Sequence, residues 1–125
     1  MCILIVEDDA TLGRAFVMQL HKLGYIADLA ISAKEALDKF GDRTYDLVLV
    51  DVGLPDIDGL ELTSKLRQLT KERKDKLPIV GITAGYATRE QCIRSGMDDF
   101  FQKPLMYTEL KNVIEKFDPQ NCKAC

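Results

Sequence analysis

Short apolar runs alternate along this chain with longer segments in which apolar residues recur every three or four positions. Four runs are nearly continuous, which is typical of strands buried on both faces of a parallel sheet, and they occupy residues 3–6, 47–50, 79–82 and 100–102. A shorter strand is predicted for residues 25–30. Strands that alternate with helices of about 10 to 15 residues favour right-handed crossovers in one parallel sheet. The pattern predicts an α/β fold of five strand–helix units.

The intervening segments have helical periodicity and recognisable ends. The first carries Leu12, Phe16, Leu20 and Leu23 on one face and is closed by Gly24. The other four are marked by a capping box at residues 32–35 with inward Ala36, Leu37 and Phe40, by Leu62, Leu66 and Leu69 after Gly59, by residues 88–95 before Gly96, and by Leu110, Val113, Ile114 and Phe117.

Each of the four apolar runs is followed by residues suited to phosphoryl chemistry. In chain order these are Glu7, Asp8 and Asp9, then Asp51, then Thr83, then Lys103. In open α/β folds, ligands bind outside the carboxyl ends of the strands. We therefore expect these acids, the hydroxyl and the amine to meet at one edge of the sheet, as a magnesium and phosphoryl site.

The acidic triplet of residues 7–9 has two interpretations. Adjacent carboxylates repel one another and remain ionised only beside a bound cation or a lysine, or else they form a solvated cap on the next helix, favoured by its dipole. Asp51 favours the interpretation as a cation site, because a second strand end brings another carboxylate to the same edge. As a carboxylate, Asp51 could also act as a nucleophile and form an acyl phosphate.

Two other motifs lie near the same strand ends. Residues 56–59, Asp-Ile-Asp-Gly, do not fit an EF-hand, because that register puts Leu54 at the first ligand position and Lys65 at the twelfth. They are better interpreted as the turn that starts the third helix. Lys103 precedes Pro104, and a cis peptide bond there would fix the lysine inward.

The composition fits one globular domain. The chain has 125 residues, of which 46% are hydrophobic and 30% charged, and its net charge is -3. The densest basic stretch, residues 71–76, is interrupted by Glu72 and Asp75 and is unlike a nucleic-acid interface. No apolar run approaches the roughly 18 residues of a membrane helix, and residues 1–6 lack the features of a signal peptide. We expect no direct nucleic-acid or membrane partner and a cytoplasmic location.

The four cysteines form no evident disulfide framework. Cys122 and Cys125 make one CxxC pair after Pro119, where the last helix has already stopped, whereas Cys2 and Cys92 stand alone. A frayed tail is the favoured interpretation of the pair, with a redox or metal role as the alternative. The single histidine, His21, is expected on a helix surface.

Taken together, four motifs resemble the receiver domain of two-component signalling, over residues 3–117. They are Ile-Leu-Ile-Val-Glu-Asp-Asp at 3–9, Leu-Val-Leu-Val-Asp at 47–51 with Leu54-Pro55 and Asp58-Gly59 after it, Ile-Thr-Ala at 82–84, and Lys-Pro at 103–104. The resemblance implies a receiver domain over residues 1–118 with a tail at 119–125. It also implies a doubly wound, flavodoxin-like sheet of strand order 2-1-3-4-5.

The resemblance implies a role for each acid at the strand ends. Asp51 would accept a phosphoryl group from a histidine on a kinase or a histidine phosphotransfer protein. Asp8 and Asp51 would bind Mg²⁺ or Mn²⁺ directly, Glu7 through water, and the carbonyl of Gly53 would be a further ligand.

The remaining family roles concern phosphate contact and switching. Lys103 would pair with the phosphoryl oxygens, Thr83 would move towards the phosphoryl group, and Phe100 matches the aromatic residue whose rotation couples to it. The fourth helix, fifth strand and fifth helix, with residues 88–95 and 107–117, would contact an output partner or a second copy. Residues 96–104 resemble receivers at the ends of hybrid histidine kinases, but the sequence leaves open whether this is a single-domain regulator or such a module.

Three glycines depart from common family patterns or carry a cost. Gly53 and Gly85 lack the side chains that many relatives use to shape access to the phosphoryl group. Gly13 lies early in the first helix, where either a docking phosphotransfer protein or close packing could explain it.

Two alternatives come from other functional classes. A phosphatase of the haloacid dehalogenase type also uses a strand-end aspartate, but it needs a second aspartate at the position held by Gly53. A phosphate-independent pseudo-receiver would be expected to lack an acid or the lysine, and this chain has both. The chain is therefore expected to be no enzyme beyond self-phosphorylation and slow autodephosphorylation.

Overall fold

A computed structural model describes residues 1–54, 56–73, 76–83, 88–103 and 105–118 of the chain. Its ten elements are β1 (Cys2–Val6), α1 (Ala10–Lys22), β2 (Ile26–Ala30), α2 (Ala33–Asp42), β3 (Leu47–Asp51), α3 (Gly59–Leu69), β4 (Ile79–Thr83), α4 (Arg89–Ser95), β5 (Asp99–Gln102) and α5 (Tyr107–Phe117). The strands are parallel and lie in the order β2-β1-β3-β4-β5. The predicted fold and strand order are confirmed.

The sheet has one hydrophobic core on each face because successive strand residues point to opposite sides. In β1, Leu4 and Val6 pack with α2, α3 and α4, whereas Ile3 and Ile5 pack with α1 and α5. β3 and β4 are buried along their whole length, while β5 is an edge strand and stays partly exposed. The near-continuous apolar runs thus reflect burial on both faces in the centre of the sheet.

Side chains and glycines define the helix ends. Thr88 and Gln91 form a reciprocal capping box on α4, and Gly96 ends that helix at φ 109. The capping box predicted at residues 32–35 is only half formed. The Ser32 side chain accepts from the Glu35 amide, but the Ser32 amide does not donate to the Glu35 carboxylate. The carboxylate of Asp56 accepts from the next two amides of α2 instead.

The leucines that mark α3 are not all buried. Leu62 and Leu66 are fully buried, but Leu69 is 63% exposed in the last turn of α3. The next residue, Thr70, is buried instead, and its hydroxyl donates to the carbonyl of Leu66. Leucine spacing alone therefore overestimates how far the buried stripe extends.

Close approach requires glycine at position 59, and Gly13 lies in close contact with a flexible side chain. A Cβ on Gly59 would lie 2.7 Å from both the carbonyl oxygen of Asp51 and the Cα of Val52, so glycine lets α3 start against the end of β3. A Cβ on Gly13 would lie 2.5 Å from a methyl carbon of Leu29 in β2. Close packing is thus sufficient to explain Gly13.

Several sequence predictions lie outside the described residues. They concern Pro55, Ala84, Gly85, Pro104 with its peptide bond, and the tail 119–125 with Cys122 and Cys125. Among the residues that the structure does describe, no helix combines the length and apolar character needed to cross a bilayer.

Candidate functional site

The register of the sheet brings the ends of three neighbouring strands to one edge. Val6 of β1 is the partner of Val50 in β3, and Asp51 is the partner of Ile82 in β4. Glu7 therefore follows β1 at the height of Asp51 on the next strand. This alignment is the reason that acids far apart in sequence share one site.

Lys103 joins the two buried acids. Its Nζ lies 3.1 Å from Oε1 of Glu7 and 3.1 Å from Oδ2 of Asp51. The side chain of Lys103 is 26% exposed, against 1% for Glu7 and 4% for Asp51. The Lys103 amide also donates to the carbonyl of Thr83 at 2.8 Å, which ties the residue after β5 to the end of β4.

The three consecutive acids have different environments. Glu7 is buried, whereas Asp8 and Asp9 are exposed. Asp9 is the N-cap of α1, and its Oδ1 accepts from the amides of Thr11 and Leu12. The helix-cap interpretation is therefore confirmed for Asp9, and cation binding by Glu7 and Asp8 stays a prediction.

The electrostatics of the buried pair are unequal. Burial, followed by the hydrogen bond and charge of Asp51, raises the pKa of the Glu7 carboxyl well above its usual range. Burial would also raise the pKa of Asp51, but hydrogen bonds to Glu7, to the Gly53 amide and to Lys103 hold it below its usual range. These opposite directions favour the negative charge on Asp51, whose Oδ2 lies 3.1 Å from Nζ of Lys103.

This group of acids fits a hard divalent cation. One carboxylate oxygen from each of Glu7, Asp8 and Asp51 lies within 4.8 Å of the other two, and this is the one such group among the described residues. Oε1 of Glu7 is buried and makes no hydrogen bond, although Nζ of Lys103 is near it. Mg²⁺ prefers carboxylate oxygens together with waters, so the donor set suits it.

Gly53 and Thr83 lie beside Asp51 at the ends of β3 and β4. The Gly53 amide donates to Oδ1 of Asp51 at 3.0 Å, and Gly53 itself is exposed. Thr83 is fully buried at the end of β4. The predicted roles of the Gly53 carbonyl as a metal ligand and of Thr83 as a phosphate contact stay predictions.

Phe100 lies on the edge strand, beside the predicted output surface. It is half-buried against the core that contains α4, and the guanidinium of Arg89 lies 5.8 Å from its ring centroid. A Cβ added to Gly81 in β4 would lie 3.6 Å from the Cβ of Phe100. The Phe100 side chain is therefore only partly covered, and its switching role stays a prediction.

A polar network that was not predicted lies at the start of β4, at the other end of the strand from Thr83. Arg67 of α3 donates to the carbonyls of Gly96 and Leu77 and to the carboxylate of Asp98, which also accepts from the Ile79 amide. Arg67 lies three residues after Ser64, on a face of α3 that its polar residues predict to be exposed. The spacing of apolar residues therefore gives no indication of this network. An aspartate two residues after a helix-ending glycine is the available signal.

Comparison with known proteins identifies the family. The model of the response regulator receiver domain matches residues 3–115. The chain is 39% identical over 121 residues to the aerobic respiration control sensor protein ArcB of Escherichia coli (strain K12), covering 92% of this chain and 15% of that protein. It is 37% identical over 116 residues to the sensor histidine kinase RcsC of Salmonella typhi, covering 91% of this chain and 12% of that protein.

Solved structures agree. The receiver domain protein (CheY-like) of Methanospirillum hungatei JF-1 superposes with a TM-score of 0.82 at 32% identity, covering 95% of this chain and 94% of that one. The response regulator TrrA of Thermotoga maritima, solved in complex with Mg²⁺-BeF, gives 0.82 at 31% identity, covering 94% and 98%. On the family match, the similarity and the shared fold, this chain belongs to the response regulator receiver domain family of two-component signalling.

Proposed function

We propose that the chain takes a phosphoryl group from a phosphohistidine onto Asp51 and that this changes its partner-binding surface. The observation that carries the proposal is the contact of Lys103 with both Glu7 and Asp51, at 3.1 Å each, beside a third carboxylate from Asp8. A lysine and three acids at one strand edge can hold both a cation and an entering phosphoryl group.

The transfer is an in-line displacement at phosphorus. A carboxylate oxygen of Asp51 forms the new P–O bond as the P–N bond to the donor imidazole breaks, and the leaving nitrogen keeps the bonding electron pair. The low pKa of Asp51 keeps its oxygen available as the nucleophile. The Nζ of Lys103, already 3.1 Å from that carboxylate, offers a positive charge to the phosphoryl oxygens.

Glu7, Asp8 and Asp51 would hold Mg²⁺, or Mn²⁺ in its place. When bound, the ion supplies positive charge that offsets the carboxylates and the phosphoryl oxygens. This positive charge would favour the ionised forms of both Glu7 and Asp51.

The donor is a histidine kinase or a histidine phosphotransfer protein. The named relatives include sensor histidine kinases, of which this chain spans 15% or less, so we place the chain in a phosphorelay in the cytoplasm, either alone or as a module of such a kinase. Its own chemistry is limited to taking up the phosphoryl group and losing it slowly to water. α4, β5 and α5 are the surface proposed to contact an output partner or a second copy.

The test is the intact mass of the protein after incubation with acetyl phosphate. With Mg²⁺ the chain should gain one phosphoryl group, and with excess chelator it should gain none. Asp51→Asn should prevent the gain, because an amide cannot form the acyl phosphate.

Asp42→Asn is the matched control, since Asp42 ends α2 and lies outside the acidic group. It should leave the mass gain unchanged. An equal gain in Asp51→Asn would place the acceptor elsewhere, and a gain that survives chelation would remove the role of the metal.

A further inference from the structure

The carboxylate of Asp56 connects two segments that are far apart in the sequence. Its Oδ1 accepts from the Ala33 amide at 3.0 Å, and its Oδ2 accepts from the Lys34 amide at 2.9 Å. These amides are the first two of α2, whereas Asp56 lies between β3 and α3. The same hydrogen bonds, from Lys34 and Ala33, lower the pKa of the Asp56 carboxyl. Asp56 is therefore an ionised acceptor, and hydrogen bonds to ionised acceptors are stronger than neutral ones.

The start of α2 has a local cap as well, so Asp56 completes a set. The first four amides of a helix have no partner within the helix. In α2, the Ser32 side chain accepts from the Glu35 amide at 3.1 Å, and the Ser32 carbonyl accepts from the Ala36 amide at 3.0 Å. Asp56 accepts from the other two. Because these two bonds come from a distant segment, they fix that segment against the helix.

The connection between β2 and α2, residues 30–34, also contacts the first acidic segment. The Glu7 amide donates to the carbonyl of Ala30, the last residue of β2, at 2.9 Å. Glu7 follows β1, and Asp56 follows β3. The connection thus binds both segments that bring carboxylates to the site, one through a backbone carbonyl and the other through backbone amides.

The chain after Asp51 is fixed on both sides of Gly53. The Val52 amide donates to the Ile82 carbonyl at 2.9 Å, and the Val52 carbonyl accepts from the Gly59 amide at 2.8 Å. Gly53 comes next, is exposed and has no side chain that could anchor it. Asp56 follows three residues later. Val52 and Asp56 therefore enclose the residue whose carbonyl is the predicted metal ligand.

We propose that Asp56 is a positioning residue for the divalent cation site. Its bonds to the start of α2 hold the chain after Asp51 so that the carbonyl of Gly53 stays available as a ligand. This inference rests on the proposed function, because that carbonyl matters only if the acidic group binds a cation. Groups that orient metal ligands change the affinity about 10- to 100-fold when they are replaced. Asp56 is exposed and acts through the backbone, so we expect the lower end of that range.

The experiment is a titration of the full ¹⁵N-labelled chain with Mg²⁺, followed by NMR. The amide shifts of Asp8 and Gly53 give the dissociation constant. Asp56→Ala should weaken Mg²⁺ binding about tenfold. In the metal-free protein, the same variant should speed the exchange of the Gly53 amide with water, since the chain around that amide is less restrained.

Two failures of this experiment are distinguishable. A parent chain whose amides do not respond to Mg²⁺ would contradict the metal site of the proposed function, and the role of Asp56 with it. A parent chain that binds Mg²⁺, with an Asp56→Ala variant that binds it equally well, would overturn the role of Asp56 alone.

Ser32→Ala is the matched control, because it removes the other side-chain acceptor at the same helix start. Both variants should lower the unfolding temperature, but Ser32→Ala should leave the affinity for Mg²⁺ unchanged. Equal weakening in both variants would make lost helix stability the cause and overturn the proposal.

Asp56→Asn separates the hydrogen bonds from the negative charge. It keeps a side-chain oxygen that can accept from one of the two amides, and it lacks the charge that would attract a cation from a distance. This variant should recover most of the affinity that Asp56→Ala loses. An Asp56→Asn variant as weak as Asp56→Ala would assign the effect to charge and overturn the positioning role.

Discussion

At the scale of single residues, three adjacent acids serve three purposes because the backbone turns between them. Glu7 ends inside the site beside Lys103, Asp8 stays exposed with an oxygen near the other two carboxylates, and Asp9 caps α1. The residue types and their place after a strand were enough to predict an acidic site. Which of the three acids is buried, which is exposed and which caps the helix was not predictable, since this depends on where the first turn of α1 begins.

Gly59 is the residue whose replacement should disturb the site most through packing alone. A Cβ there would meet the backbone of Asp51 and Val52 at 2.7 Å, and neither can move aside as a side chain could. Gly59→Ala should lower the free energy of unfolding by about 1 to 3 kcal/mol.

Gly41→Ala provides the control for this substitution. Gly41 lies in α2, and its added Cβ would meet nothing within 4 Å. The change should be neutral or raise the free energy of unfolding by up to about 1 kcal/mol, because alanine favours the helix. Urea denaturation measures both variants, and equal effects would contradict the packing argument.

Gly53 should lengthen the lifetime of the acyl phosphate. Hydrolysis needs a water held in line with phosphorus, and positioning provides much of the rate in phosphoryl transfer. Gly53 is exposed and has no side chain to hold that water, and Gly85 likewise has none by sequence. Gly53→Asn, alone or with Gly85→Glu, should shorten the phosphoryl half-life at equal Mg²⁺. A parent chain that loses phosphate as fast as the double variant would show that side-chain positioning is not limiting.

At the scale of elements, α3 is connected to the start of β4 and to the turn before β5 by charged hydrogen bonds. The Arg67 guanidinium reaches Gly96 and Asp98, and Lys76 lies 2.7 Å from the other oxygen of Asp98. The Asp98 side chain is only 15% exposed. Removal of the negative charge of Asp98 would weaken the hydrogen bonds that it accepts from Arg67 and from the Ile79 amide.

Asp98→Asn should therefore destabilise the protein, and by an amount that depends on pH. Burial would raise the pKa of Asp98, but hydrogen bonds from Lys76 and the Ile79 amide, with the charge of Arg67, hold it below its usual range. Because the pKa of Asp98 is lower in the folded state, its ionised carboxylate stabilises the fold above the unfolded pKa of about 3.9. This stabilisation is lost as the pH falls through the folded pKa. The variant should lose roughly 1 to 3 kcal/mol at pH 7.

The comparison of free energies of unfolding from pH 7 to pH 3 checks this prediction. The difference between the parent chain and Asp98→Asn should stay constant down to about pH 4 and shrink below it. Glu90→Gln is the control, because the Glu90–Arg94 pair on α4 is largely exposed and should contribute little. A difference that is already small at pH 7 would contradict the role given to Asp98.

Element types were predictable from periodicity, and some element ends were not. Gly24 and Gly96 follow α1 and α4 with positive φ values, which end a helix. Asp58, a residue type common in turns, caps the start of α3. The exposure of Leu69 in the last turn of α3 was not indicated by the leucine spacing. The cap that Asp56 gives to α2 is a contact between distant segments, so local sequence could not indicate it.

At the scale of the whole molecule, the site and the proposed output surface are linked through β4 and β5. Thr83 ends β4 beside the site, its carbonyl binds the Lys103 amide, and Phe100 packs on the α4 side of β5. A ligand shifts a conformational equilibrium only through contacts that differ between the states. We expect Thr83 to supply that contact and Phe100 to repack with it.

Beryllofluoride with Mg²⁺, used as a phosphoryl mimic, tests this coupling by NMR. Backbone shifts should change at Thr83, at Phe100 and along α4, well outside the acidic group. The Asp51→Asn variant under the same conditions is the control and should show none of these changes. Shifts confined to residues around Glu7 and Asp51 at saturation would contradict the switch.

The overall architecture was the most predictable feature, because five strand–helix units admit few right-handed arrangements. The meeting of Glu7, Asp51 and Lys103 followed from the rule that strand ends share one edge. What sequence could not provide was the opposite directions of the pKa shifts of Glu7 and Asp51, which depend on burial and on the 3.1 Å contacts with Lys103.

The most direct test of the account is the identity of the residue that carries the phosphoryl group. Borohydride reduces an aspartyl phosphate to homoserine, and trypsin then releases residues 44–65, which hold Asp46, Asp51, Asp56 and Asp58. After acetyl phosphate and Mg²⁺, fragmentation of this peptide should place homoserine at position 51 alone. Homoserine at another aspartate, or none in a protein that has gained a phosphoryl group, would contradict the assignment of Asp51.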